Sequence, residues 1–104
     1  MNIFTIETIP GKPFTPIGLV KGATVQTKHA GKDFMAGFKN LIGGEITSYT
    51  EMLNEARQIA TDRMVKEASA LGADAIIGVR YASPEVMQGA AEVFAYGTAV
   101  KFNA

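Results

Sequence analysis

The stretch that decides the fold is SYTEMLNEARQIATDRMVKEASALG, residues 48–72. Apolar side chains recur every three or four residues along it, with charged side chains between them, which predicts one long amphipathic helix. Ser48 and Glu51 have the spacing of a capping box, so we expect the helix to begin at Ser48. Gly72 predicts its end, because glycine readily adopts the left-handed conformation after a last helical turn. The predicted apolar stripe comprises Tyr49, Met52, Leu53, Ala56, Ile59, Ala60, Met64, Ala68 and Leu71.

Composition bounds the class of protein. A chain of 104 residues with 47% hydrophobic residues predicts one globular domain over residues 1–104. The formal net charge is zero and no basic patch stands out, which argues against nucleic acid as a partner. We find no run of eighteen apolar residues and no signal-peptide pattern, so we expect neither a membrane span nor secretion. With no cysteine in the chain, the cytoplasm is the expected location.

Residues on both sides of the central helix have the patterns of strands. Residues 2–6 and 17–27 precede it, and residues 74–82 and 91–102 follow it. Asp33 is expected to cap a short helix that ends at Gly43-Gly44, and residues 84–89 are expected to form a turn. The predicted order is therefore ββααββ, an α+β fold in which two helices pack on a small, mostly antiparallel sheet.

The last predicted strand has one bulky face and one small face. Phe94, Tyr96, Val100 and Phe102 alternate with a face of small residues that includes Ala95, Gly97 and Ala99. We expect the bulky face to cover the central helix and the small face to admit a second backbone. Because one helical layer covers one side of a sheet, this predicts a homo-oligomer with sheet faces or edges in contact. The alternative is a monomer whose small residues face water.

Glycines within the second predicted strand need a structural reason. Gly18 and Gly22 lie four residues apart between apolar residues. Glycine inside a strand marks either a β-bulge or a place where another backbone comes close. We therefore expect each of these two positions to serve one of those purposes.

Six blocks of the chain together carry a family resemblance. They are Gly43-Gly44-Glu45, Tyr49-Thr50-Glu51, Glu55-Ala56-Arg57, Arg63-Met64, Leu71-Gly72-Ala73-Asp74-Ala75-Ile76-Ile77-Gly78-Val79 and Tyr96-Gly97-Thr98-Ala99-Val100. As a set they resemble the YbjQ-like family of small bacterial and archaeal proteins, which is also described as heavy-metal-binding. The resemblance implies a fold like that of dodecin subunits and assembly into rings, with a pentamer as the expected oligomer.

Three polar residues of these blocks are candidate ligand-binding residues. Glu45, Tyr49 and Arg63 would line a pocket between subunits, with the Arg63 guanidinium offering a fork for a carboxylate or phosphate. The structural alternative is that Glu45 supports a helix N-terminus, Tyr49 packs with its hydroxyl satisfied, and Arg63 pairs with Glu67. Gly43-Gly44 is better explained as a turn than as an anion site, because it lacks the lysine of a phosphate loop.

The chain has few of the side chains that would bind the heavy metals in the family's description. Soft metals prefer thiolate and imidazole ligands, and the chain has no cysteine and one histidine. Carboxylates are compatible with a hard cation instead, because a ring of subunits presents one copy of each carboxylate per subunit. The candidate ligands are Asp33, Glu45, Glu67 and His29.

Three functional hypotheses follow from these observations. The first is a non-enzymatic module that binds a metal ion or small ligand at subunit interfaces. The second is an enzyme with an active site between subunits, against which the absence of a recognisable nucleophile–base pair counts. The third is a structural scaffold whose role is oligomerisation itself.

Overall fold

The computed structural model describes residues 1–27, 42–87 and 90–103. They form one long helix and a mixed β-sheet. In chain order the elements are β1 (Asn2–Ile3), β2 (Phe14–Thr27), α1 (Ile42–Ala70), β3 (Ala75–Ala82), β4 (Glu85–Met87) and β5 (Ala90–Phe102).

The sheet has the strand order β1-β3-β5-β2, and β4 also pairs with β5. β1 runs parallel to β3, whereas the other pairs are antiparallel. The α+β class is confirmed, while the predicted short helix at Asp33 lies outside the described residues. The turn predicted over residues 84–89 is wrong in part, because Glu85 pairs with Ala91 and extends the β3–β5 hairpin as β4.

The central helix begins earlier than the capping box predicts. α1 starts at Ile42, so Gly43 and Gly44 belong to its first turn instead of ending a shorter helix. Extending a helix adds one hydrogen bond per residue, which offsets the weak helix propensity of glycine. No helix in the described ranges is long and apolar enough to cross a lipid bilayer.

The predicted end of the helix is confirmed at Gly72. Its φ angle is 76°, in the left-handed region. The Ala73 amide donates to the Ala68 carbonyl at 3.1 Å and the Gly72 amide to the Ser69 carbonyl at 3.0 Å. These two bonds define a Schellman motif, which satisfies carbonyls that the helix leaves open. Leu71 lies in this turn and is exposed, so it does not extend the buried stripe.

The helix packs on the small face of β5, so the predicted assignment of the two faces is wrong. Ala56, Ala60, Met64 and Ala68 of α1 are buried against Val20, Ile76, Val79, Val93, Ala95 and Ala99 of the sheet. Small side chains on both surfaces let the helix come close and bury its backbone-proximal atoms, which the bulky face would prevent. The second backbone that the small face admits is therefore the helix of the same chain.

Gly22 marks the closest approach of α1 to the sheet. A Cβ atom built at Gly22 would collide with the Ala60 carbonyl oxygen and the Met64 amide nitrogen, and would lie 2.8 Å from the Arg63 Cβ. Gly18 lies at a register shift between Pro16 and Gly18 in the pairing of β2 with β5. The prediction for the two glycines is confirmed, with a β-bulge at one and a close backbone approach at the other.

The N-terminal segment covers part of the opposite face of the sheet. The Phe4 amide donates to the Ile76 carbonyl at 2.8 Å and the Gly78 amide to the Ile6 carbonyl at 2.8 Å, so backbone pairing continues beyond β1. The chain then reverses at Pro10-Gly11, where the backbone amide of Lys12 donates to the Ile9 carbonyl and Gly11 has a φ of 75°. Phe4, Ile9, Phe14 and Phe102 pack there on Ala75, Ile77 and Val100.

Asp74 ties the start of β3 to the end of β5. Its Oδ2 accepts a 2.7 Å hydrogen bond from the Phe102 amide, and its own amide donates to the Val100 carbonyl at 2.8 Å. Lys101 donates to the Gly72 carbonyl at 3.1 Å, beside the end of α1. A favourable cation at a helix C-terminus and a carboxylate on a strand amide together join three elements.

We expect Asp74→Ala to lower the free energy of unfolding by about 1–3 kcal/mol, since the Phe102 amide loses a charged acceptor. Asp74→Asn should cost less, because its amide oxygen still accepts. Asp62→Ala is the matched control, as the Asp62 carboxylate accepts from exposed Gln58 on the helix surface. Urea unfolding measures the difference, and equal losses for Asp74→Ala and Asp62→Ala would contradict the role given to Asp74.

Candidate functional site

Arg63 and Glu67 lie one helical turn apart on α1 and both reach the backbone of β2. Arg63 Nη1 donates to the Ala23 carbonyl at 2.6 Å. Glu67 Oε1 accepts from the Lys21 amide at 3.3 Å. Within the described part of the chain these two side chains form no ion pair with each other, so the Arg63–Glu67 pairing considered above is wrong. The unpaired edge of β2 offers backbone partners instead.

The pattern of β2 explains why these groups are available. β2 is the last strand in the sheet order, so within residues 1–27, 42–87 and 90–103 one side of it has no neighbouring strand. In an antiparallel pair, alternate residues point their N–H and C=O groups to the same side. Lys21 and Ala23 therefore belong to the set whose backbone groups face the open edge, and Val20, Gly22 and Thr24 belong to the set that faces β5.

Glu45 and Tyr49 lie on the same continuous helix as Arg63, but far from it. With a rise of 1.5 Å per residue, Glu45 and Arg63 are about 27 Å apart along α1, and Tyr49 and Arg63 about 21 Å. The three residues thus cannot line one pocket within a single chain. A site that uses both ends of α1 must take them from different copies.

The metal candidates are distributed in the same way. Glu67 accepts from the Lys21 amide, and about 33 Å of helix separates it from Glu45. Asp33 and His29 lie outside the described residues. Among residues 1–27, 42–87 and 90–103, no group of three or more His, Cys, Asp or Glu side chains could hold a metal ion.

A hydroxyl pair joins α1 to β3. Thr61 Oγ1 donates to the Arg57 carbonyl at 2.7 Å and lies 2.8 Å from the Tyr81 hydroxyl. Arg57 itself donates to Asn54 three residues earlier on the helix, at 2.8 Å. This strip of the helix surface therefore makes contacts within its own chain, and sequence periodicity gave no sign of the Thr61–Tyr81 contact because it crosses between elements.

The face of the sheet opposite α1 keeps an uncovered apolar area, which we call the outer patch. It comprises Leu19 (67% exposed), Val25 (56%) and Tyr96 (38%). Leu19 pairs with Thr98 and Lys21 with Tyr96 in the β2–β5 register, which places these side chains on one face. Large aliphatic side chains that are exposed on one face of a strand are typical of interaction surfaces.

Comparison with known proteins decides the family. Residues 1–103 match the family model YbjQ_1, whose description is "Putative heavy-metal-binding". The chain belongs to the YbjQ family. A UPF0145 protein of Clostridium novyi is 58% identical over 101 residues, which cover 97% of this chain and 98% of the relative. One of Thermotoga petrophila is 60% identical over 104 residues, covering 99% and 98%.

A crystal structure supports the YbjQ fold independently of close sequence similarity. It is a protein of unknown function from Pediococcus pentosaceus, assigned to the DUF74 family. The TM-score is 0.65 at 22% identity, and the match covers 99% of this chain and 98% of the other. At that identity the similarity concerns the fold alone.

The donor set does not fit the soft-metal description of the YbjQ family within one chain. The sequence holds no cysteine, and its single histidine, His29, cannot form a site alone. The carboxylates of the described residues form no group of three or more that could hold a metal ion.

Proposed function

We propose that this YbjQ family member is a homo-oligomeric, non-enzymatic binding module whose ligand sites lie between subunits in the cytoplasm. The observation that carries the proposal is the outer patch, since exposed Leu19 and Val25 gain by being covered. The assembly is a ring of dodecin-like subunits, with five copies as the number that the family resemblance implies.

The shape of the chain supports assembly. Its Cα radius of gyration is 17.1 Å and its extents are 58 × 21 × 18 Å. A compact domain of this length has a radius of gyration of about 13 Å. An elongated subunit of this kind buries more of its surface when it packs against neighbouring subunits.

The length of α1 supports a site shared between copies. One copy would supply Glu45 and Tyr49 from the first turns of its helix, and its neighbour would supply Arg63 and Glu67 from the other end. The Arg63 guanidinium has further donors beyond the one used on Ala23, and these suit a ligand carboxylate or phosphate. Glu45 and Glu67, with Asp33 and His29, are the proposed ligands of a hard cation.

A structural scaffold is the second candidate. The Arg63 guanidinium and the Glu67 carboxylate already bond the backbone of β2, which explains both residues without a ligand. Assembly would then be the function, and the outer patch its only requirement. The two candidates differ in whether the purified oligomer carries a bound molecule.

Native mass spectrometry of untagged protein, purified without chelator, tests both candidates together. We expect a discrete oligomer in the wild type, with added mass if the sites are occupied and without it if the protein is a scaffold. Leu19→Asp should shift the mass to that of the monomer, because a buried, unpaired carboxylate opposes assembly. Lys66→Asp, an exposed change on α1 away from the sheet, should leave the oligomer intact. A monomeric wild type would refute the proposed assembly.

A further inference from the structure

The open edge of β2 carries two backbone groups that α1 occupies. These are the Lys21 amide, which donates to Glu67, and the Ala23 carbonyl, which accepts from Arg63. The two contacts bridge 46 and 40 residues of sequence, so neither follows from helix geometry alone. β2 is also the longest strand, with 14 residues, and an unpaired edge of that length invites another strand to pair with it.

The positions of these two groups select one mode of strand addition. In antiparallel pairing, a hydrogen-bonded pair exchanges both of its N–H···O=C bonds. If β2 paired with β2 of a second copy about a two-fold axis at Gly22, Lys21 would face Ala23 of the partner subunit. The Lys21 amide would then donate to the carbonyl of the partner's Ala23. The groups that Arg63 and Glu67 occupy are thus the donor and acceptor of this pairing.

The side chains of β2 favour the same register. Around a two-fold axis at Gly22, Leu19 would face Val25 of the partner subunit, an apolar cross-strand pair. The neighbouring register, with the axis at Lys21, would place two lysine side chains directly opposite each other, which is unfavourable. Of these two registers, the side chains of β2 favour the two-fold at Gly22, and Arg63 and Glu67 of α1 occupy backbone groups that this pairing uses.

We propose that Arg63 and Glu67 guard the edge of β2, and that they prevent β2 of one copy from pairing antiparallel with β2 of a second copy. We call these two residues the guard. They occupy the backbone groups at the edge of β2, whereas the outer patch stays exposed. This inference is independent of the function proposed above, because it concerns the strand edge and not the sheet face. Residues that hold an edge in this way protect a protein against uncontrolled assembly.

The first test measures hydrogen exchange of the Lys21 amide by NMR. Glu67→Ala should speed its exchange about tenfold, the effect of losing one hydrogen bond of typical strength. Glu67→Gln keeps an acceptor oxygen and should largely preserve the protection. Glu55→Ala, an exposed glutamate three turns earlier on α1, is the matched control. Unchanged Lys21 exchange in Glu67→Ala would overturn the guard assignment.

The second test traps the predicted pairing with a disulfide. The natural chain has no cysteine, so Leu19→Cys with Val25→Cys introduces a defined pair. The two positions of one β2 strand are about 20 Å apart and cannot bridge within the chain. Across the predicted two-fold, their Cα atoms would be about 5.5 Å apart, which suits a disulfide.

We expect oxidised dimers when the cysteine pair is combined with Arg63→Ala and Glu67→Ala, and not when the guard is intact. Arg57→Ala in place of Arg63→Ala is the control, since the Arg57 side chain donates to Asn54 on the helix surface and not to β2. Val25→Cys alone with the guard removed should not cross-link. Cross-linking that is equal with and without the guard would overturn the proposal, whereas a monomeric wild type would contradict only the proposed function.

Discussion

Gly22→Ala is expected to destabilise the protein by about 3 kcal/mol or more, the upper range for overpacking a core. The added Cβ would meet the Ala60 carbonyl oxygen and the Met64 amide nitrogen, which are backbone atoms of α1. A side chain can rotate away from such a contact, but a helix backbone cannot. The helix must therefore move off β2, which also separates Arg63 and Glu67 from the strand edge.

Urea unfolding at a fixed protein concentration measures this loss, because an oligomer links stability to concentration. Ala23→Val is the matched control at the next position, where the side chain is exposed on the other face. Its effect should stay within about 0.5 kcal/mol. A stability of Gly22→Ala equal to that of the control would show that α1 does not approach β2 as closely as described.

Met64→Ala is expected to lower the free energy of unfolding by about 2–5 kcal/mol, the range for truncating a buried methionine. Met64 is fully buried and is the largest side chain of the protein's described core with no exposed area. It lies between the alanines at positions 60 and 68 of α1, which are too small to fill the space that the truncation leaves. The loss combines the lost transfer free energy with the cost of a cavity.

Two variants test the physical reason for the Met64 effect. Met64→Leu nearly conserves volume and should cost less than about 1.5 kcal/mol. Lys66→Ala, two residues away on the exposed side of α1, should have little effect on unfolding. If Met64→Leu and Met64→Ala were equally destabilising, the shape of the contact and not its buried volume would control stability.

The sequence predicted the features that depend on neighbours along the chain. Gly72 forms the helix end expected of it, because φ preferences act within one or two residues. The strand predicted over residues 74–82 is also present, as β3. The start of α1 was not predicted correctly, since the capping box at Ser48 competes with helix propagation from residues before it.

The candidate site was predictable in part. Arg63 and Glu67 could be singled out as polar residues, but their partners on β2 are 40 and 46 residues away. The sequence predicted a strand over residues 17–27, in which Leu19 and Val25 are six residues apart and so share a face. The sequence did not predict that this face is exposed, because its exposure depends on the side of the sheet on which α1 packs.

The sequence by itself determined an α+β fold and membership of the YbjQ family. It also determined one long amphipathic helix that ends at Gly72, with strands before and after it. Only the tertiary structure decided that the helix lies on the small face of β5, that Gly22 is its contact point, and that Glu45 and Arg63 are far apart in one chain. The physical reason is the range along the chain over which each interaction acts. Periodicity and backbone preference act locally, whereas the choice between two apolar sheet faces depends on how closely two complete surfaces pack.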